Sequence, residues 1–595
     1  MYSFNSKFRF IRGKVEVFLA LFLLFNTLSI AQTVYHVNFV EDNSIRAMIQ
    51  ADGVLFHDVR NSTSSFEVPK NNQSHAIFHS SLCITAEDSA GNLYGAASYS
   101  QSDFTTGPLK IGLGTSTTSI RSSFNNIWEL RAGDVFRHRL SYNDPNYSMP
   151  TAIRRWPAHG DTTNGYDFYL APFEDVNGNG IYEPDSGDYP KIKGSRASYF
   201  IYNDETSHTF TGGNSMGLEI HAMVYCEPHP NNALNETIFV DYKVYNRSNR
   251  DYYKCSIGSF IDFDLGNPLD DYVQTDVNRS MVFAKNGDNY DDYAFGNNGY
   301  GDLLGAIGYI VLKGPTIDND GIDNSCSSIS ASYIPNGTGF GDGIIDNERF
   351  GVSNCMSINL SNTYSYAGDF QNDQELYNYM RSRWKDNRPQ TFGGTGYRAS
   401  GGMNSRVPYF ATSDFYRYST YGQFATSVWT ENNINAWPND RKVVVSSGEF
   451  TFPKGSFQEL SYAFVFARGT VPSSVPSSVA ELNAAADQIT NYYRSVEGVS
   501  QCSSLVSVAE NHIVNSQIKV YPNPTKGNLH VENNSDSEVL VIEIFDLKGR
   551  LVLRKNITVN SKIISLDEGF ESGLYFLLAL EDGEIRHRQK IILNR

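Results

Sequence analysis

The run Asp175-Val176-Asn177-Gly178-Asn179-Gly180-Ile181-Tyr182-Glu183 sets oxygen-bearing side chains at positions one, three and five and a glycine at position six. That is the first half of a calcium loop. The glycine permits the sharp turn, and the carbonyl of Ile181 is placed to add a backbone ligand at position seven. Position 12 is Ser186 where such loops carry glutamate, so Asp185 or Asp188 has to close the shell, with Glu183 beside them. The competing reading is an Asx-rich turn held by its own hydrogen bonds. A second concentration of carboxylates comprises Asp318, Asp320 and Asp323, followed by Asp342, Asp346 and Glu348. Crowded carboxylates repel unless a cation or solvent screens them, and all-oxygen shells suit hard divalent ions, again calcium. The alternative there is a solvated acidic loop. Asp262, Asp264, Asp270, Asp271 and Asp276 make a third, weaker group just after a strand end.

Catalytic patterns have less support. Gly213-Asn214-Ser215-Met216-Gly217 fits G-x-S-x-G with His221 nearby, but a nucleophile elbow needs a strand before the serine and a helix after it. Here Leu218–Tyr225 reads as a strand and Gly212-Gly213 as a turn. No H-E-x-x-H, P-loop or dinucleotide fingerprint occurs. His75 and His79 would share a strand face without a third ligand.

The elements that must position these groups are mostly strands. Tyr and Phe number 37 each, against 9 Met, and 48 Gly supply turns, so the expected fold is mainly β: a multidomain, β-sandwich-like body with two or so short helices, plus a small C-terminal β-sandwich. Expected strands include His75–Ile84, Leu218–Tyr225, Ile238–Tyr245 and Tyr252–Ile261. Glu449–Phe452 and Leu460–Ala467 flank Pro453-Lys454-Gly455 as a hairpin. Helices are expected over Asp373–Lys385, capped by Asn372 or Asp373, and after a capping box Ser478-Val479-Ala480-Glu481, ending near Gly498. The expected divisions are an N-terminal β-rich domain over 32–118, a central β-rich domain with the acidic loops over 119–498, a linker over 499–515 and a terminal unit over 516–595.

Residues 1–31 read as a signal peptide: Lys7, Arg9, Arg12 and Lys14 precede the apolar run Val17–Phe25, and Ser29-Ile30-Ala31 supplies small residues for cleavage. The formal net charge of −17 argues against a nucleic-acid partner. In an exported chain cysteines can pair. Cys326 and Cys355 flank a Gly- and Asp-rich loop, and Cys226 and Cys255 lie in adjacent strand-like segments, so both pairs are candidate disulfides. Cys83, in an apolar strand, reads as a buried thiol.

The terminal unit opens with Tyr521-Pro522-Asn523-Pro524 and Gly527. Ile544-Phe545-Asp546, Gly549-Arg550-Leu551, Gly573-Leu574-Tyr575-Phe576 and Lys590-Ile591-Ile592 follow. In order and spacing it resembles the type A sorting domain of type IX secretion cargo from Bacteroidetes-type bacteria. That resemblance implies recognition by the type IX secretion machinery, passage through the periplasm to the outer-membrane surface or medium, and in some cargo linkage to surface lipopolysaccharide. The body, over roughly residues 40–470, resembles large secreted proteins of the same bacteria without an established activity. The shared patterns include Phe66-Glu67-Val68-Pro69-Lys70, Trp156-Pro157-Ala158-His159-Gly160, Asp270-Asp271-Tyr272-Val273 and Phe340-Gly341-Asp342-Gly343. Two functions follow as expectations. One is a calcium-stabilised, non-catalytic scaffold or adhesin with a glycan or matrix ligand. The other is a secreted hydrolase acting on polysaccharide, with Trp384 and Trp437 exposed to stack on sugars and two carboxylates about 5–10 Å apart in a cleft.

Overall fold

The computed structural model describes residues 35–594 apart from 230–232, 327–332, 360–365, 398–402, 405–410, 414–428, 435, 500–517, 534–538, 547–550, 559–562, 567–569 and 582–583. The expected signal peptide, the expected linker beyond residue 499, and Gly549 and Arg550 of the terminal motif therefore lie outside the described residues. The chain divides into two compact units, Met1–Cys502 and Ser503–Arg595.

The first unit is built on two large, almost wholly antiparallel sheets. In the nine-stranded sheet, Tyr252–Phe263 lies between His75–Glu87 and Arg441–Ser446. In the ten-stranded sheet the central order is Gly305–Lys313, Phe457–Arg468, Thr237–Asn246, Leu218–Cys226, Arg196–Asn203. The inner faces share one core. Ile77, Ile84, Ile257 and Ile261 of the first sheet pack with Ile220, Val240, Val244, Leu460 and Phe464 of the second. The outer faces are covered too. Cys83, Phe260, Met356 and Val444 meet Leu376, Tyr379, Met380 and Trp384 on one side. On the other, Met223, Phe239 and Val465 are covered by Leu482, Ala486 and Ile489 of a helix and by Trp128 and Trp156. Strands such as Leu218–Cys226 are buried at every position as a result. Thr237–Asn246 alternates over its second half, with Asp241, Lys243 and Tyr245 half-buried between buried neighbours.

Several expectations need correction. The boundary at 118/119 cuts through a sheet, because His75–Glu87 pairs along most of its length with Tyr252–Phe263. The expected 32–118 and 119–498 domains are one body. Phe450–Phe452 pairs with Tyr252–Phe263 in one sheet, while Phe457–Arg468 pairs with Thr237–Asn246 and Gly305–Lys313 in the other. Pro453-Lys454-Gly455 is thus a crossing between sheets and not a hairpin turn. The last helix runs Val475–Glu497, capped by the Ser474 side chain on Ser477 N, with proline in the first turn and Gly498 left-handed at its end. Ser478 therefore sits inside the helix, its hydroxyl donating to Val475 O at 3.0 Å. The other helix starts as expected, with Asn372 accepting from Glu375 N, but stops at Tyr379 as the chain turns through a positive φ at Ser382. Three further short helices, Thr118–Ser123, Ala132–Ser141 and Thr151–Arg154, were not foreseen.

The disulfide expectations fail as well. Cys226, Cys255 and Cys355 are free, buried thiols, as is Cys83. Cys226 and Cys255 sit in opposite sheets. Stacked sheets stand about 10 Å apart, beyond the Cα separation of roughly 4–7 Å that a disulfide spans. Cys355 faces the shared core next to Val445. Cys326 is disulfide-bonded, and its partner lies outside the described residues.

The tail packs around its own core of Val520, Leu529, Ile542, Ile544, Leu577 and Ile591. It has a three-stranded sheet (Ile518–Tyr521, Asn528–Asn533, Ile563–Ser565) and a four-stranded sheet ordered Leu551–Thr558, Val539–Asp546, Gly573–Glu581, Glu584–Leu593.

The closeness of the central strands makes a test. A Cβ on Gly258 would stand 1.8 Å from the Val445 carbonyl oxygen and 2.6 Å from Ser446 Cα, atoms of backbone that cannot turn aside. Gly258→Ala is expected to cost about 3 kcal/mol, read as a lower urea midpoint. An unchanged midpoint would mean that the strands are not this tightly paired.

Candidate functional site

Residues 175–188 form the loop between two short paired strands, Phe173–Glu174 and Tyr189–Pro190. Asp175 is its hub. Its Oδ1 accepts from Gly178 N at 2.7 Å and Asn179 N at 3.3 Å, and its Oδ2 accepts from Gly180 N at 2.5 Å. The Gly180 N–H above all holds the Asp175 carboxyl below the usual carboxylate range. Asn177 Oδ1 and Asn179 Oδ1 accept from Asn179 N and Ile181 N, and their amides both donate to Glu183 Oε2. Asp188 is fully buried and pins both ends of the loop, accepting from Val176 N at 2.9 Å and Glu183 N at 2.7 Å. Of the two residues expected to close the shell, Asp188 is in the network. Asp185 instead faces Arg154 at 3.3 Å across the surface. Gly178 and Gly180 both have positive φ, which is why glycine is needed at these corners.

The second acidic group is two glycine turns that brace each other. Asp346 Oδ1 accepts from Asp320 N and Gly321 N at 2.9 and 2.8 Å, while Asp323 accepts from Gly341 N and Gly343 N, each at 2.7 Å. Asp342 accepts from Ile344 N, and Glu348 accepts from Asn324 N. Asp318 does not join them. Its carboxylate accepts from Thr451 N and the Thr451 hydroxyl at 2.7 and 2.8 Å. In both loops these bonds occupy some of the four lone-pair directions of each carboxylate and orient the rest.

The serine pattern is not a nucleophile elbow. Gly217 N donates to Ser215 Oγ, and the strand Leu218–Cys226 follows where a helix is required. His221 is engaged elsewhere, Nε2 with Glu219 at 2.8 Å and Nδ1 with the Tyr199 hydroxyl at 2.8 Å. His221 lines a cleft of about 490 Å³ with Tyr199, Tyr245, Asp241 and Glu459. Its acids are spoken for: Asp241 pairs with Lys193, and Glu459 with Lys313, both at 2.7 Å. Of the two tryptophans expected on the surface, Trp437 is exposed. Trp384 is buried, with its indole N–H on Gly396 O.

In the tail, the expected signal residues lie against the last strand. Asn523 Oδ1 accepts from Ile592 N at 2.9 Å, Thr525 N donates to Ile592 O, and Gln589 Nε2 donates to Val520 O at 3.0 Å. Pro522 and Pro524 follow cis peptide bonds, and Gly527 has a φ of 137°. Tyr521 stays on the surface, its hydroxyl on Glu532, and Tyr575 packs on Phe570. Gly573 opens the strand that pairs with the strand bearing Lys590. Residues 519–594 match the secretion system C-terminal sorting domain family. The protein is cargo of the type IX secretion system. Its tail engages that machinery, and the chain is exported to the cell surface or extracellular space. No curated protein matches the chain in sequence. A solved polysaccharide lyase aligns over 72% of this chain at 6% identity and a TM-score of 0.18, and the chain spans only 37% of that structure. A likeness that slight carries no argument.

Two outcomes are expected. Removal of residues 516–595 should leave the body in the periplasm, assayed by cell fractionation; normal delivery of the truncated chain would refute the sorting role. For Glu219, burial pushes the carboxyl up, but His221 and then Arg247 outweigh burial and hold it below its usual range. A carboxyl held below its unfolded value contributes stability that is present above about pH 4.3 and lost as pH falls through the depressed value. Glu219→Gln should therefore cost about 3 kcal/mol at neutral pH, and the gap from the parent should close in acid. Denaturant melts at both pH values measure it, and a gap independent of pH would contradict it.

Proposed function

We propose that the exported body is a calcium-stabilised, non-catalytic scaffold or adhesin displayed or released outside the cell. The observation that carries this reading is the 175–188 loop. Asp175, Asn177, Asn179, Glu183 and the buried Asp188 converge on one turn whose glycines adopt the positive φ that such a loop needs. The braced turns around Asp320, Asp323, Asp342 and Asp346 offer a second oxygen-rich shell of the type hard cations prefer. The failure of the serine pattern and the ion-paired acids of the cleft favour a binding role over hydrolysis. A glycan or matrix protein is the expected ligand, the exposed Trp437 being one stacking surface for sugars. Linkage of the processed cargo to surface lipopolysaccharide is part of the same proposal. The likeness of the body to secreted proteins without an established activity adds location but no chemistry.

Calcium bound only by the folded state stabilises it by about 2.7 kcal/mol per site at a hundredfold excess over Kd. For a body of this size that moves the unfolding midpoint by a few degrees. Chelator should lower the midpoint of the purified protein, calcium should restore it, and Asp175→Asn should remove part of the response. A midpoint indifferent to strict calcium removal would overturn the calcium reading. Screening the secreted protein against glycans and matrix proteins tests the binding role, and turnover of a polysaccharide would overturn it.

A further inference from the structure

The strand Tyr252–Phe263 ends in a group of carboxylates that neither loop contains. The strand register sets His79, Asp262 and Lys442 side by side on three neighbouring strands. Asp264 follows one residue after the end of its strand, and Asp440 one residue before the start of Arg441–Ser446. One carboxylate oxygen from each of Asp262, Asp264 and Asp440 lies within 4.8 Å of the other two. Two oxygens bound to a single calcium ion at about 2.3–2.6 Å stand at most about 5 Å apart. The spacing is that of one coordination shell.

A second observation is that two of the group's buried oxygens have no hydrogen-bond partner among the described residues. Asp262 is 2% exposed and Asp264 9%, while Asp440 is half-buried and opens the group to solvent. Asp262 Oδ2 accepts from the Tyr99 hydroxyl at 2.5 Å. Asp262 Oδ1 and Asp440 Oδ1 are buried without a hydrogen-bond partner among the described residues. The charge of Lys442 acts on all three carboxylates, but its hydrogen bonds go elsewhere. Lys442 Nζ bonds both oxygens of Asp369 at 3.2 and 3.3 Å and stands 4.5 Å from the centre of the Tyr99 ring. Asp271, whose charge couples to Asp264, buries a further oxygen without a hydrogen-bond partner among the described residues. Burial first pushes all three carboxyls upward. The charges of Asp440 and Asp264 add to it at Asp262, that of Asp440 at Asp264 and that of Asp369 at Asp440, while Lys442 offsets part of the rise at each. Buried anions without partners are otherwise kept only at several kcal/mol each.

We propose that Asp262, Asp264 and Asp440 form a divalent-cation site, filled by calcium, that clamps the end of Tyr252–Phe263 to the start of Arg441–Ser446. Three carboxylates and no nitrogen or sulfur donor make it a hard site, and its position near the surface lets water supply the remaining ligands. The site does not rest on the loops at 175–188 and 318–348. The alternative is a set of carboxyls that merely share protons.

The test is calcium-titration calorimetry on the mature protein stripped with chelator, alongside Asp264→Asn/Asp440→Asn, Asp440→Asn alone and Asp175→Asn. The double variant should bind one calcium fewer than the parent, and Asp440→Asn should bind at that site about tenfold more weakly or worse, since affinity follows ligand charge. Asp175→Asn should keep the site. In chelator the double variant should unfold at or above the parent's midpoint, because it loses buried repulsion, and its gain on adding calcium should be smaller. Unchanged stoichiometry and an unchanged calcium-dependent gain in the double variant would overturn the site, whatever Asp175→Asn does. If the double variant does not fold, Asp440→Asn alone decides, and parental affinity in that variant overturns the site. Loss confined to Asp175→Asn would support the loop and leave the carboxylate group as shared protons.

Discussion

Burial of both large sheets on both faces is the constraint from which the rest of the body follows. An antiparallel sheet commonly keeps one face wet; here Ile257 and Ile261 of one strand face the inter-sheet core while Phe260 faces a second core under Leu376 and Tyr379. Charge can therefore enter the strands only in pairs or at their ends. Arg441 is buried against Glu431 at 2.8 Å, and Arg247 against Glu219 at 2.7 Å, with Asp167 completing the second group at 2.9 Å. Removing one member of such a group leaves a buried charge uncompensated, which costs far more than an exposed pair ever contributes. Where strands end, the same dryness leaves carboxylates such as Asp262 and Asp271 with oxygens that have no hydrogen-bond partner among the described residues.

Two-sided burial also explains which parts of the fold could be read in sequence. Strand centres were legible because runs such as Phe239–Tyr245 alternate and runs such as Leu218–Tyr225 are rich in large apolar residues between turn signals. The partnership of strands was not, since apolar residues on both faces carry no phase that says which sheet a strand joins. Pro453-Lys454-Gly455 has the composition of a hairpin turn, and nothing local distinguishes a return within one sheet from a step to the other. The domain boundary failed for the same reason, because the longest pairing of the N-terminal strands is with a strand nearly two hundred residues later. The cysteine pairs failed because proximity in sequence says nothing about the layer a thiol occupies. Ser478 misled because a good capping box is outranked by Pro476, two residues earlier, in the first turn of the helix.

Among the sites, legibility tracks how local they are. The 175–188 turn was readable because its oxygens come from one short run, and in the structure Asp188 joins its hydrogen-bond network while Asp185 faces Arg154. The braced turns were half readable: the acids were evident, but their reciprocal pairing across Asp323 and Asp346, and the departure of Asp318 to Thr451, required three dimensions. In the carboxylate trio, Asp262 and Asp264 stood out as a weak group, whereas Asp440 and Tyr99 carried no signal at all. Only the register of three strands brings them together. The sorting signal was the most legible part, since its prolines, glycines and terminal strand occur in a short, ordered series.

Separate cores for body and tail mean that the export label can fold and be read without reference to what it carries. The reverse coupling is thermodynamic. Free energy of metal binding to a group that forms only in the folded state is free energy of folding. Carboxylates that repel one another and lack donors therefore oppose folding where the cation is scarce and support it where the cation is plentiful. For an exported chain with a formal charge of −17, a cation clamp at the proposed trio would place its largest gain in stability after delivery, in the medium that supplies the ion. Hydrogen-bonded carboxylates such as Asp188 and Asp346, by contrast, are satisfied by backbone N–H groups wherever the chain folds. A cation at the trio would thus serve oxygens that the backbone leaves without donors, whereas one at either loop would add to carboxylates that the backbone already holds in place.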